Sequence, residues 1–151
     1  MFTIEAIMST NLITVAPSAT LAEARTLMHD NRIHHIPVVE DGQLVGLITL
    51  TNVLAATDSF LRDPQQRIHA NDISIKDAMV DDVATVDISA SLRQAALFLE
   101  RHKIGCLPVM DNSKLVGIIT DTDFVAVAIN LLEQIEESEP VAEDYDEMDI
   151  A

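Results

Sequence analysis

Thr120, Asp121, Thr122 and Asp123 stand between two apolar runs, residues 115–119 and 124–132. A threonine followed three residues later by an acid, at the junction of a strand and a helix, has the spacing of a capping box. Read in that way, Asp123 serves only the helix N-terminus. The same geometry allows a second reading, in which first-turn N–H groups and threonine hydroxyls seat a phosphate and the carboxylate accepts hydrogen bonds from a ribose diol. The other reactive side chains are less organised. Cys106 has no base placed beside it by spacing and reads as a small buried residue rather than a nucleophile. His29, His34, His35, His69 and His102 fall into no metal-ligand spacing with it, so no metal site is expected. With no phosphate loop and no activated nucleophile, catalysis ranks below binding.

The elements that must position Asp123 are written twice. The segment "LVGIITDTDFV" closes the second half of the chain and "LVGLITLTNVL" closes the first, with Asn52 in the place of Asp123. A shift of 71 residues aligns 4–56 with 75–127 without a gap, and 18 of those 53 positions are identical. Each copy begins with a short extended segment, "ITV" or "ATV", followed by a Ser-containing turn and a helix with Thr20 or Ser91 as its cap. "IPVVE" or "LPVMD" then pairs with "QLVGLIT" or "KLVGIIT" across "DG" or "NS", the pattern of a β-hairpin. A second helix completes the copy. The fold class is α+β, built from two pseudo-twofold-related β-α-β-β-α repeats, each too small to bury both faces of its own sheet alone. The boundaries fall at 1–57 for repeat one, 58–73 for a polar connector, 74–132 for repeat two and 133–151 for a disordered acidic tail.

Composition narrows the partners. Nine basic against 25 acidic residues give a formal charge of −16, which repels phosphate backbones and anionic membrane surfaces. Aromatic residues make up 3% of the chain, too few for base-stacking platforms, so nucleic acid is not expected. The longest strongly apolar run falls well short of the roughly 20 residues that span a bilayer, and no membrane association is expected. A lone cysteine and the lack of a signal-peptide pattern predict a cytoplasmic protein. Nine carboxylates and no basic residue from Glu133 onward describe a solvated tail or one that meets a basic partner.

"LPVMDNSKLVGIITDTDFV" and "IPVVEDGQLVGLITLTNVL" resemble the ends of two CBS domains, the module named after cystathionine β-synthase. Gly117, Ile118, Ile119, Thr120 and Asp123 match the family pattern in full. The resemblance implies a tandem pair, or Bateman module, that binds an adenosine-containing ligand in clefts between the repeats and is not an enzyme. It further implies a nucleotide site with Thr120, Asp121, Thr122 and Asp123 on one side, the backbone around Ile13 and Thr14 on the other, and Pro37, Gly117 and Ile119 as supports. His34 and His35 occupy positions that contact phosphate in similar proteins, or else one is packed and the other solvated. A second, weaker or vacant site would combine Thr49, Thr51 and Asn52 with Ala84 and Pro108. AMP, ADP, ATP and S-adenosylmethionine, with or without magnesium, are the implied ligands. A homodimer and a separate regulated protein are the implied partners. The competing reading is an adaptor with degenerate clefts that acts through its helices or its acidic tail.

Overall fold

A computed structural model describes residues 3–61 and 72–139. Most of the expected connector and the tail from 140 onward lie outside the described residues.

Copy one contains the short helix α1 (Ile4–Ile7), α2 (Leu21–Asn31), the hairpin β1 (His35–Glu40) and β2 (Gln43–Thr49), and α3 (Leu50–Leu61). Copy two opens on a 3-10 turn (Ile75–Asp77) and continues with β3 (Val86–Asp87), α4 (Leu92–His102), β4 (Cys106–Asp111), β5 (Lys114–Thr120) and α5 (Asp121–Ser138). The boundary drawn at Glu133 thus falls inside α5, which continues to Ser138.

Local sequence explains these elements. Thr20 and Glu23 exchange side-chain and backbone hydrogen bonds at the start of α2, at 2.9 and 3.2 Å. Ser91 and Gln94 do the same at the start of α4. Both helices stop at a basic residue in the left-handed region, Arg32 and Lys103, each at φ 53°. The hairpins pair antiparallel in matching register, His35 with Thr49 and Cys106 with Thr120.

One difference between the copies has a covalent cause. In copy two, β3 runs parallel to β4, and the Ile88 N–H extends the ladder to the Met110 carbonyl at 2.9 Å. The corresponding position in copy one is Pro17, which has no N–H to give. The expected strand "ITV" is therefore reduced to a single bridge between Val15 and Val38.

The copies exchange their opening segments. Ile4 is fully buried in the copy-two core with Leu107, Val109 and Ile119. Ile75 is fully buried in the copy-one core with Ile36, Val38 and Ile48. Backbone bonds secure the exchange: Ser9 and Ile118 pair on the edge of β5, and Val80 and Leu47 pair on the edge of β2, with all four bonds between 2.9 and 3.0 Å. Gly117 and Gly46 permit the close approach. A Cβ on Gly117 would stand 2.5 Å from the Met8 sulfur, and one on Gly46 would meet Met79. Fully burying an isoleucine contributes roughly 1.5 to 3 kcal/mol, so each copy draws a substantial part of its core from the other.

Candidate ligand clefts

The first cleft opens where β5 passes into α5. The Asp123 carboxylate turns back on the helix N-cap, and its Oδ2 accepts from the Thr120 N–H at 2.8 Å and from the Thr120 hydroxyl at 3.3 Å. The capping role is met, and it leaves one carboxylate oxygen over: Oδ1 has no hydrogen bond among the described residues. Asp121 holds the next turn, accepting from the Thr122 N–H at 2.9 Å, while its own N–H donates to the Gly105 carbonyl at 3.0 Å.

This junction forms one wall of a cleft of about 350 Å³, with Ile118, Thr120, Asp121, Thr122 and Asp123 on the copy-two side. Ser9, Asn11, Leu12 and Ile13 form the facing copy-one wall. Arg32, Ile33, His34, His35 and Pro37 close the remaining side. The fold thus brings Ile13, His34, His35, Pro37, Thr120, Asp121, Thr122 and Asp123 together. Three expected residues stand apart. Thr14 is turned out to solvent, because alternate residues along an extended segment face opposite ways. Ile119 is fully buried in the copy-two core, and Gly117 lies beneath Met8. Met8 and Met79 pack against the cores and line neither cleft.

Arg32 is the residue the sequence reading missed. Among the described residues it is the one permanently cationic side chain on the cleft wall, placed there by the left-handed turn that ends α2. The available signal was its recurrence as Lys103 at the same point in copy two.

His35 sits at the seam between the copies. A Cβ on Gly105 would stand 3.1 Å from its Nε2 and 3.6 Å from an Asp121 carboxylate oxygen. Burial pushes His35 below its ordinary value of 6.5; the Asp121 carboxylate opposes that shift and His34 adds to it. Cys106, its counterpart in copy two, is a buried free thiol pushed up to about 12, mainly by burial, with the Asp121 charge adding. Such a thiol is protonated at neutral pH and is a poor nucleophile.

The pseudo-twofold places a second cleft, about 280 Å³, against the β2–α3 junction. Thr49, Thr51 and Ala84 line it as expected, together with Asp82, Val83 and Gly105. Asn52 and Pro108 do not line it; Pro108 is fully buried. Asn52 repeats the cap: its Oδ1 accepts from the Thr49 N–H at 3.1 Å and the Thr49 hydroxyl at 2.7 Å. Only an acceptor can take those bonds, so the amide oxygen is committed and the atom left over is Nδ2, a donor. His35 reaches this cleft as well. Among the described residues no cluster of three or more His, Cys, Asp or Glu side chains could hold a metal ion. No described helix is long and apolar enough to cross a membrane.

A family model for the CBS domain matches this chain twice, over residues 4–59 and 75–130. The chain belongs to the CBS-domain family. A CBS domain-containing protein of Bacillus subtilis, YhcV, is 32% identical over 112 residues, which span 74% of this chain and 75% of that protein. Among solved structures, a Vibrio cholerae protein named for acetoin utilization, AcuB, is 40% identical, with 93% of this chain and 99% of that chain covered at a TM-score of 0.76. CBSX2, solved in complex with AMP, is 28% identical, with 87% of this chain and 99% of that chain covered at a TM-score of 0.73. The CBS pair of MJ0100, solved with 5′-methylthioadenosine and S-adenosylmethionine, is 25% identical, with 87% and 98% covered at a TM-score of 0.74. The likeness extends over both repeats, in agreement with the α+β pair expected from the duplication.

Proposed function

We propose that this CBS pair is a non-catalytic regulatory module that binds an adenine nucleotide in the Asp123 cleft and signals to a separate protein. The observation that carries this reading is the spare oxygen of Asp123, an anionic acceptor in a cleft whose far side holds Arg32, His34 and His35. The spare oxygen suits the ribose hydroxyls. The threonine-rich start of α5 and the Arg32 guanidinium suit a phosphate. The AMP complex of CBSX2 and the adenosine-ligand complexes of MJ0100 support the ligand class. The inert state of Cys106 supports binding over catalysis, and its free thiol suits a reducing, cytoplasmic setting. The likeness to AcuB nominates acetoin metabolism as a first place to look for the regulated protein.

The helices support self-association. Val125, Ile129 and Leu132 lie on one face of α5 at four- and three-residue spacing and are 57%, 52% and 56% exposed. Leu54, the repeat counterpart of Val125, is exposed on α3. An apolar face that follows the pseudo-twofold across both repeats fits a homodimer. Sedimentation of wild type beside Ile129→Asp tests this: dimer for the first and monomer for the second is expected, and a monomeric wild type would remove the dimer from the account.

A thermal-shift panel of AMP, ADP, ATP and S-adenosylmethionine, each with and without magnesium, tests the ligand claim. A ligand at a hundredfold over its Kd should add about 2.7 kcal/mol. No shift with any of them would favour an adaptor acting through the exposed face of α5.

A further inference from the structure

The helices that close the two repeats seat differently. In copy one, Val53 of α3 lies in the core at 1% exposure. Its repeat counterpart in α5, Phe124, is only partly buried against the copy-two core, and α5 buries no residue fully. From 128 to 138 every residue of α5 is exposed, so roughly 16 Å of helix stands clear of the described body. One side of this stretch is nonetheless apolar. Phe124, Ala128, Leu131 and Ile135 follow one another at four-, three- and four-residue spacing as a single stripe, and Leu131 and Ile135 are 42% and 53% exposed. The stripe lies about a quarter-turn round the helix from Val125, Ile129 and Leu132. Its near end runs into a groove of about 440 Å³ between α4 and α5, whose apolar walls are Ala96, Leu99, Ile104 and Phe124.

Charge decides what can cover this stripe. No Lys, Arg or His follows Lys114, and α5 carries Asp121, Asp123, Glu133, Glu136 and Glu137, with Glu139 directly after it. Glu133 stands three and four residues from Glu136 and Glu137, the spacing at which like charges on a helix repel. The last turn holds acids and no base, against the helix dipole. Both arrangements oppose the helix that the structure shows, and a row of cations alongside would relieve both. A second α5 laid along the stripe brings only further carboxylates, in either direction. The segment 140–151 has five more acids and no cation, so it is repelled as well.

We propose that the groove between α4 and α5, together with the projecting end of α5, docks a basic amphipathic helix of the regulated protein. The apolar side of that helix rests on Phe124, Leu131 and Ile135, and its Lys or Arg residues meet Glu133, Glu136 and Glu137. Ala128, small and central in the stripe, leaves room for the close approach of a second helix. Assigning the docked helix to the regulated protein rests on the regulatory reading of the chain, whereas the surface itself does not.

The test uses the full chain and two synthetic amphipathic peptides of about 14 residues, four turns of helix, one built from leucine and lysine and the other from leucine and glutamate. Fluorescence anisotropy should show binding of the first and none of the second, with affinity falling as salt rises from about 0.05 to 0.5 M. A Leu131→Ser, Ile135→Ser double variant should lose at least about tenfold, as expected of buried anchors. A Glu133→Gln, Glu136→Gln, Glu137→Gln variant should lose about three- to tenfold at low salt. Both variants should keep the AMP affinity and the sedimentation of wild type. Lysine-peptide binding that is unchanged in the double serine variant would reduce the contact to diffuse charge and overturn the proposal, as would no binding by wild type. Thiol labelling of Ile135→Cys identifies any other occupant, because Cys106 is buried. Fast labelling, slowed by the lysine peptide, is expected. Slow labelling of the chain alone would overturn the proposal: if it speeds up on dilution a second copy covers the stripe, and if it does not, segment 140–151 does. Failure of the peptide with AMP still bound removes the docking surface and leaves the nucleotide reading; failure of AMP with the peptide still bound does the reverse.

Discussion

The two strand-to-helix junctions share one cap and differ in what the cap leaves behind. At both, a side-chain oxygen three residues into the helix accepts from the backbone and hydroxyl of a threonine, over 2.8 and 3.3 Å at Asp123 and 3.1 and 2.7 Å at Asn52. Aspartate has a second oxygen to spend on a ligand, whereas asparagine has only a donor. Replacing one by the other keeps the cap and reverses the polarity of the atom left over. Duplication thus keeps the structural role twice while the atom it leaves over differs in kind.

The comparison fails first if the copies are not interlocked. Ile4→Ala and Ile75→Ala each empty a fully buried position in the opposite copy's core and should each cost about 2–5 kcal/mol in denaturant unfolding. A loss below about 1 kcal/mol at either site would contradict the exchange of opening segments. Asp123→Ala and Asn52→Ala each remove a cap and should lower stability by similar amounts, about 0.5–2 kcal/mol. Only the first should abolish AMP binding in a parallel titration. Equal loss of AMP affinity in both would erase the distinction between the clefts. Gly105→Ala crowds the His35 ring at 3.1 and 3.3 Å. It should cost about 1 kcal/mol, at the low end for overpacking, and should perturb both clefts, since His35 lines both; a neutral result would show that the ring moves aside freely.

The smallest effect is a pH dependence. Burial holds the His35 value below 6.5 in the folded chain, so as pH falls below 6.5 the unfolded chain takes up the proton first. Stability therefore rises with pH across the window from the depressed folded value up to 6.5, and His35 contributes no slope above it. A phosphate beside the ring would favour imidazolium, so AMP should bind more tightly as pH falls through that window. His35→Gln should flatten both profiles; slopes that persist in the variant would assign them to other groups.

Much of this was legible in the chain. The 71-residue repeat placed both hairpins, the three caps at Thr20, Ser91 and Thr120, and most of the Asp123 wall, because capping and alternation are local properties. The exchange of Ile4 and Ile75 was not legible. Both residues recur at the same repeat position, but a repeat does not tell which copy receives the segment. Arg32 was hidden for a related reason: its place on the cleft wall depends on the left-handed end of α2, a conformation its residue type does not announce. The shortened first strand could have been read from Pro17, whose missing N–H ends the ladder. Thr14 and Gly117 were carried in by the family pattern; alternation turns one outward, and Met8 covers the other.

The central claim is that the spare oxygen of Asp123, and not its cap, makes the nucleotide site, and Asp123→Asn separates the two because an amide oxygen can still cap Thr120. AMP titration of that variant, beside its unfolding midpoint, is the most direct test. The account predicts an unchanged midpoint and AMP binding weaker by at least about tenfold, 1.4 kcal/mol. Unchanged AMP affinity in a variant that folds as well as wild type would contradict it.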